Sequence, residues 1–182
     1  MKSPKAILSA IALASATLVS SGAYAADISN PSQELEIIDN AAFFGAIFGS
    51  GNAGNTFVDK YTFTTTAGGS LMADVLSMSA TAASGLNITG LGLYDMNGEV
   101  VGGTLQSTGA TDSWTLSSAN LAAGSYYVQI SGSVVSNSAG KYYANVAMAP
   151  VPEPETYAMM LAGLGMLGFV ARRRKQKAEL AA

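Results

Sequence analysis

From Phe57 to Thr65 the chain alternates between apolar and polar residues. In an extended strand Phe57, Asp59, Tyr61 and Phe63 fall on one face, and Val58, Lys60, Thr62 and Thr64 on the other. The aromatic face is the core face, and it carries Asp59 inward. The same two-residue period recurs downstream. Ser70–Ser79 and Leu86–Asp95 predict two more strands. The alternation of the second slips at Gly90, which predicts a bulge or bend. Met96-Asn97-Gly98 predicts a hairpin turn, because Asn-Gly accepts the positive φ of tight hairpins. Glu99–Leu105 is the return strand, and Ser113–Leu116 a short strand. Tyr126, Val128 and Ile130 share a face of the next. Tyr126 follows a Gly124 turn, as in the tyrosine corner of β-sandwiches, whose hydroxyl bonds back to the preceding loop. In the last strand, Gly140–Met148, Tyr142, Ala144, Val146 and Met148 alternate with Tyr143, Asn145 and Ala147. About eight short strands with turn signals between them predict an all-β fold, a jelly-roll-like antiparallel sandwich.

Four stretches depart from this period. Leu35, Ile37 and Ile38 suggest an edge strand, and the apolar run Ala41–Phe48 is expected to pack on the core, since exposed it would invite aggregation. Residues 1–25 read as a secretory signal peptide: Lys2 and Lys5 are its basic start, Ala6–Val19 its apolar centre, and Ala23-Tyr24-Ala25 its small-x-small cleavage site. At the other end, Thr156–Ala171 is apolar without a polar face. As a helix it spans roughly 24 Å against a hydrocarbon core of about 30 Å, with Glu155 and Arg172 able to snorkel. It reads as a single transmembrane helix acting as a temporary anchor. Arg172, Arg173 and Arg174 abut it and orient it, basic end in the cytoplasm and sandwich outside. Pro152-Glu153-Pro154 just before it is a stiff, extended strip that an enzyme can grip. The expected organisation is a signal peptide over 1–25, an extracytoplasmic sandwich over 26–149 and a C-terminal signal over 150–177.

Composition narrows the chemistry. The 182 residues include no cysteine and no histidine. Disulfides are therefore excluded, together with Ser-His-Asp and Cys-His hydrolases and histidine-bearing zinc sites. The net charge of −3 conceals a split distribution. Over 26–150 nine acids (Asp27, Glu34, Glu36, Asp39, Asp59, Asp74, Asp95, Glu99, Asp112) face two bases (Lys60, Lys141), a net of −7. Such a surface lacks the cationic footprint that nucleic acid requires.

The inward Asp59 needs partners, and a hydrogen-bond pin for a neighbouring loop is the plainer reading beside a calcium ligand. Asp95 with Asn97 and Gly98 reads as turn chemistry, since the remaining acids of a calcium loop are missing. No metal or cofactor is expected. Trp114, Tyr127 and Tyr143 are candidate stacking platforms for a carbohydrate, against a plainer role in core or cross-strand packing. An acid-dependent glycosidase would need two carboxylates across a cleft. The leading expectation is a protein that is not an enzyme, with no catalytic residue. Asn87-Ile88-Thr89 fits a glycosylation sequon by coincidence.

The order Pro-Glu-Pro, apolar helix, arginine cluster in PEPETYAMMLAGLGMLGFVARRRK closely resembles the PEP-CTERM sorting signal. The resemblance implies an exosortase, a membrane cysteine transpeptidase, as processing partner. It would cut near Pro152–Pro154 and release the protein from the membrane to the surface of a Gram-negative bacterium that makes extracellular polysaccharide. A role in exopolysaccharide or biofilm assembly follows as an expectation, with a carbohydrate- or protein-binding module as the alternative. Phe57-x-Asp59-x-Tyr61 resembles the F-x-D-x-F motif of one subgroup of these proteins, with Tyr61 in place of the second Phe. LGLYD at 91–95, LAAGSYYVQISG at 121–132 and YYANV at 142–146 resemble bacterial pre-peptidase C-terminal domains, which are small, non-catalytic β-sandwiches. That resemblance covers roughly 57–148 and implies no fixed site residues.

Overall fold

The alternating stretch Thr56–Thr65 forms a strand, β3, with Phe57, Asp59, Tyr61 and Phe63 all buried. The computed structural model describes residues 24–150 and 154–179. The signal-peptide reading, with Lys2, Lys5 and Ala23, lies outside them, as do Pro152 and Glu153; Ala25 is exposed.

Ten strands precede one helix: β1 (Gln33–Glu34), β2 (Ala41–Phe48), β3, β4 (Gly69–Met78), β5 (Leu86–Asp95), β6 (Gly98–Gly102), β7 (Thr104–Ser107), β8 (Thr111–Leu121), β9 (Gly124–Val134), β10 (Gly140–Pro150) and α1 (Pro154–Glu179). They make two five-stranded sheets, β1-β3-β9-β5-β6 and β2-β10-β4-β8-β7. Without β1 and β7, the remaining eight, β2-β10-β4-β8 over β3-β9-β5-β6, have the strand order of a jelly roll. All pairings are antiparallel except β1 with β3.

The inward faces interdigitate around Phe57, Tyr61, Phe63, Leu71, Val75, Leu93, Ile130, Tyr142 and Val146. Aromatic pairs stitch the two sheets at one end: Phe57 stacks on Phe48 at 4.4 Å and on Tyr142 at 5.8 Å, and Phe44 meets Tyr61 at 4.4 Å. Gly132 makes room for this packing, because a Cβ there would lie 2.5 Å from Phe57 Cζ.

Several elements differ from the sequence expectation. Leu35–Ile38 is not a strand; the edge strand is Gln33–Glu34, and Ile38 closes a turn onto Ala41 through Asp39 (φ 51°) and Asn40 (φ 65°). That pair of positive φ values is the type I′ geometry that starts a hairpin. Glu99–Leu105 is not one strand. It divides at Gly103 into β6 in one sheet and β7 in the other, where a Cβ would meet Leu91 O at 2.8 Å and Thr115 O at 3.2 Å. Ala41–Phe48 packs on the core by one face only: Ala42 and Phe48 are buried, while Phe43 and Ile47 point outward, 84 % and 75 % exposed.

Local signals elsewhere agree with the fold. The ladder between β5 and β9 shifts register between Ile88 and Gly90. Asp95 Oδ1 accepts the N–H groups of Asn97 (2.7 Å) and Gly98 (3.1 Å), capping the hairpin turn. The Tyr126 hydroxyl donates to Ala122 O at 3.0 Å, the tyrosine-corner bond.

The expected C-terminal helix forms as α1, but it is not found to be a membrane span. No helix among the described residues is long and apolar enough to cross a membrane. The apolar stretch of α1 stops at Ala171, and the helix runs on into the basic cluster.

Candidate functional site

Two places carry the residues singled out above: a buried polar knot around Asp59 and the junction between β10 and α1.

Strand alternation aims Asp59 inward beside Tyr61 on β3, and β10 brings Tyr142 across from the other sheet. The Tyr142 hydroxyl donates to Asp59 Oδ2 at 2.5 Å, and Tyr61 and Tyr142 share a hydrogen bond of 2.8 Å. Tyr142 has one hydroxyl proton and gives it to the carboxylate, so Tyr61 donates to Tyr142. From the opposite side Asn30 donates its backbone N–H to Asp59 Oδ1 (2.7 Å) and its side-chain amide to Oδ2 (3.0 Å). One carboxylate thereby fastens the N-terminal segment, β3 and β10. Burial, and then the bond to Asp59, push the Tyr142 phenol far above its usual range. Burial also raises Tyr61, with the Asp59 charge adding to the effect. Asp59 is 1 % exposed, so the carboxylate offers no open face to a substrate. Among the described residues no group of three or more metal-binding acids gathers here or elsewhere.

Asp112 is a second buried carboxylate, not part of the acidic surface that its place among the nine acids suggests. It accepts the Ile88 N–H at 3.0 Å and the Gly109 N–H at 2.9 Å. The Trp114 indole N–H donates to Ile88 O at 3.0 Å. The two side chains hold both backbone polar groups of Ile88, the residue just before the bulge, and alternation of Asp112, Trp114 and Leu116 on β8 was the signal for it. Asn30 left no comparable trace, since its role depends on a long-range crossing.

The aromatic candidates separate. Trp114 is half-buried and its N–H is committed. Tyr127 is half-buried between Tyr94, stacked at 5.1 Å, and Lys60 Nζ, 5.3 Å from its ring centre. Tyr143 stays 57 % exposed, with Lys141 Nζ 5.4 Å from its ring centre.

At the C-terminal junction β10 ends at Pro150 and α1 begins at Pro154. Pro154, the last residue of the Pro-Glu-Pro triplet, opens the helix. Along α1 the side chains from Tyr157 to Arg173 are exposed, including Met159, Leu164, Met166 and Phe169. Arg172 and Arg173 are exposed at its basic end, and the Arg173 guanidinium lies 5.3 Å from the Phe169 ring centre. The backbone of Arg174 continues the helix.

Residues 150–175 match the PEP-CTERM protein-sorting motif. Among solved structures, the pre-peptidase C-terminal domain of a Bacillus anthracis collagenase is similar at 18 % identity and a TM-score of 0.40, covering 64 % of this chain and 94 % of that one. PliG of Aeromonas hydrophila, a periplasmic inhibitor of g-type lysozyme, is similar at 15 % identity and a TM-score of 0.42, covering 68 % and 100 %. No curated protein matches the chain. The motif implies exosortase sorting and export to the cell envelope or surface in Gram-negative bacteria, and the chain is thus a β-sandwich carrying a C-terminal PEP-CTERM protein-sorting motif at residues 150–175.

Proposed function

We propose that the protein is an exosortase substrate whose tail is removed near Pro152–Pro154, leaving a non-enzymatic β-sandwich at the cell surface or in the extracellular matrix. The observation that carries this reading is the sorting motif over 150–175 placed directly after the last strand. A cut beyond Pro150 leaves all ten strands in the product. The exposed apolar residues of α1, Met159 to Val170, give the tail affinity for the membrane, and the arginines favour its cytoplasmic side. Within this reading the product takes part in exopolysaccharide or biofilm assembly. The F-x-D-x-F subgroup assignment is part of the same proposal, with Phe57, Asp59 and Tyr61 acting as a structural signature rather than a binding site.

The test is mass spectrometry of the exported C-terminus in a host with an active exosortase. The wild type should end near residues 152–154, with or without an attached glycan. Replacement of Pro152, Glu153 and Pro154 by alanine should leave a full-length, membrane-associated chain. A wild type that keeps Arg172–Arg174 after export overturns the processing reading.

The binding-module alternative rests on Tyr143, the exposed member of the three aromatic candidates. Glycan-array binding that is lost in Tyr143→Ala would favour it.

A further inference from the structure

Sheet edges present unpaired N–H and C=O groups, and natural proteins blunt them with charge, proline, bulges or brevity. Among the described residues three of the four edges follow this rule. β1 is two residues long. β6 is short, carries Glu99 and pairs with β5 through a register shift. β7 has four residues and a register shift against β8. β2 does not follow it. It runs for eight residues without a charge, a proline or a bulge against β10.

The backbone polarity of β2 is fixed. Ala41 exchanges both of its backbone hydrogen bonds with Ile38, and Asn40 O accepts from Met148 on the β10 side. Groups alternate in direction along a strand, so Phe43, Gly45 and Ile47 aim their N–H and C=O at the free edge. None of these three makes a backbone bond there to any described residue.

We propose that two copies of the chain meet at this edge, with β2 paired antiparallel to the partner's β2 about a two-fold axis at Gly45. This register sets Phe43 against the partner's Ile47, Gly45 against the partner's Gly45, and Ile47 against the partner's Phe43. All three are hydrogen-bonded pairs, so the strand is complementary to itself. The ladder stops where it must. Ile38 already occupies Ala41 at one end, and the turn-forming run Gly49–Asn55 begins at the other. The outward side chains Phe43 and Ile47 become cross-strand neighbours on one face of a continuous ten-stranded sheet. Glu34 and Glu36 line the groove beside Phe43 and Gly45, which disfavours an acidic strand as occupant. The uncharged segment that follows β2 in a second copy satisfies that constraint.

The chain has no cysteine, which permits a direct test on the full-length protein in mild detergent. Phe43→Cys and Ile47→Cys are prepared separately, both at exposed positions, and their folding is checked by circular dichroism. In the proposed register the two positions face each other across the axis with Cα atoms about 5.5 Å apart, within disulfide reach. Equal mixing under mild oxidation should give a covalent dimer, whereas neither variant alone should. Absence of a dimer from the mixture, or dimers formed equally well by either variant alone, overturns the register. In parallel, sedimentation should show the wild type dissociating about tenfold or more less readily than a Phe43→Lys/Ile47→Lys chain, which places like charges across the axis. Equal association of the two, as tail-driven clustering or a different partner would give, overturns the interface.

Discussion

The Tyr142 hydroxyl lies 2.5 Å from Asp59 Oδ2 across the two sheets, with both side chains fully enclosed. Removing one member of such a pair leaves the other without a partner in a dry interior, which costs more than the bond itself contributes. Tyr142→Phe is expected to lower unfolding free energy by about 1–3 kcal/mol, measured by urea denaturation. Asp59→Ala, which strands donors on both Asn30 and Tyr142, should cost at least as much. The double variant should be less destabilised than the two single effects added, with a coupling of about 0.5–3 kcal/mol. Strict additivity would mean that the two groups do not share one network.

The same knot sets an alkaline limit. Tyr142 and Tyr61 are held neutral in the fold with raised pKa values, whereas tyrosine in an unfolded chain ionises near pH 10 (approximately). Below that pH both states keep the proton and stability is complete. Above it the unfolded state releases the proton and the folded state does not, so stability falls as pH rises. The decline is at most about 1.4 kcal/mol per pH unit for each phenol. Denaturant midpoints between pH 8 and 11 (roughly) check this, and Tyr142→Phe should show a shallower decline.

Asp112 and Trp114 hold the β5 bulge from the neighbouring sheet. Asp112→Ala strands the Ile88 and Gly109 N–H groups and should cost about 1–3 kcal/mol for a buried orphan. Trp114→Phe loses one neutral bond and should cost about 1 kcal/mol beyond any change in packing. Trp114 is the only tryptophan, so in all other variants its fluorescence reports directly on this contact between sheets.

Gly132 faces Phe57 and Asn87 O with no room for a methyl group, at 2.5 Å and 2.7 Å from a Cβ. Gly132→Ala should destabilise by about 1–3 kcal/mol through overpacking. Thermal unfolding of this variant beside Gly49→Ala, where a Cβ meets nothing, separates crowding from glycine's general effect on the unfolded chain.

Much of this architecture is local and could be read from the chain. Alternation alone oriented Phe57–Phe63, Tyr126–Ile130 and Tyr142–Met148, because a strand with one buried face repeats every two residues. The bulge at Gly90 and the turn at Asn97-Gly98 followed from backbone chemistry. What was not legible depended on distant pairing. Glu99–Leu105 looks like one return strand until Leu91 and Thr115 close around Gly103 and pass the chain to the other sheet. The partners of Asp59, at residues 30 and 142, come from opposite ends of the domain, and no spacing announces them. Ala41–Phe48 packs on the core as its apolar run predicts, but a strand in a two-layer sandwich buries only one face, and the run being apolar throughout hides which face that is.

The position of β10 has a mechanical consequence. It lies between β2 and β4, antiparallel to both, and it is the strand from which the sorting tail departs. Any tension applied at Pro150 along the strand must shear two hydrogen-bonded ladders at once rather than peel one open. It also pulls directly against the Tyr142–Asp59 bond to the facing sheet. A sandwich tethered through this end would resist drag best in the direction in which its own tether loads it.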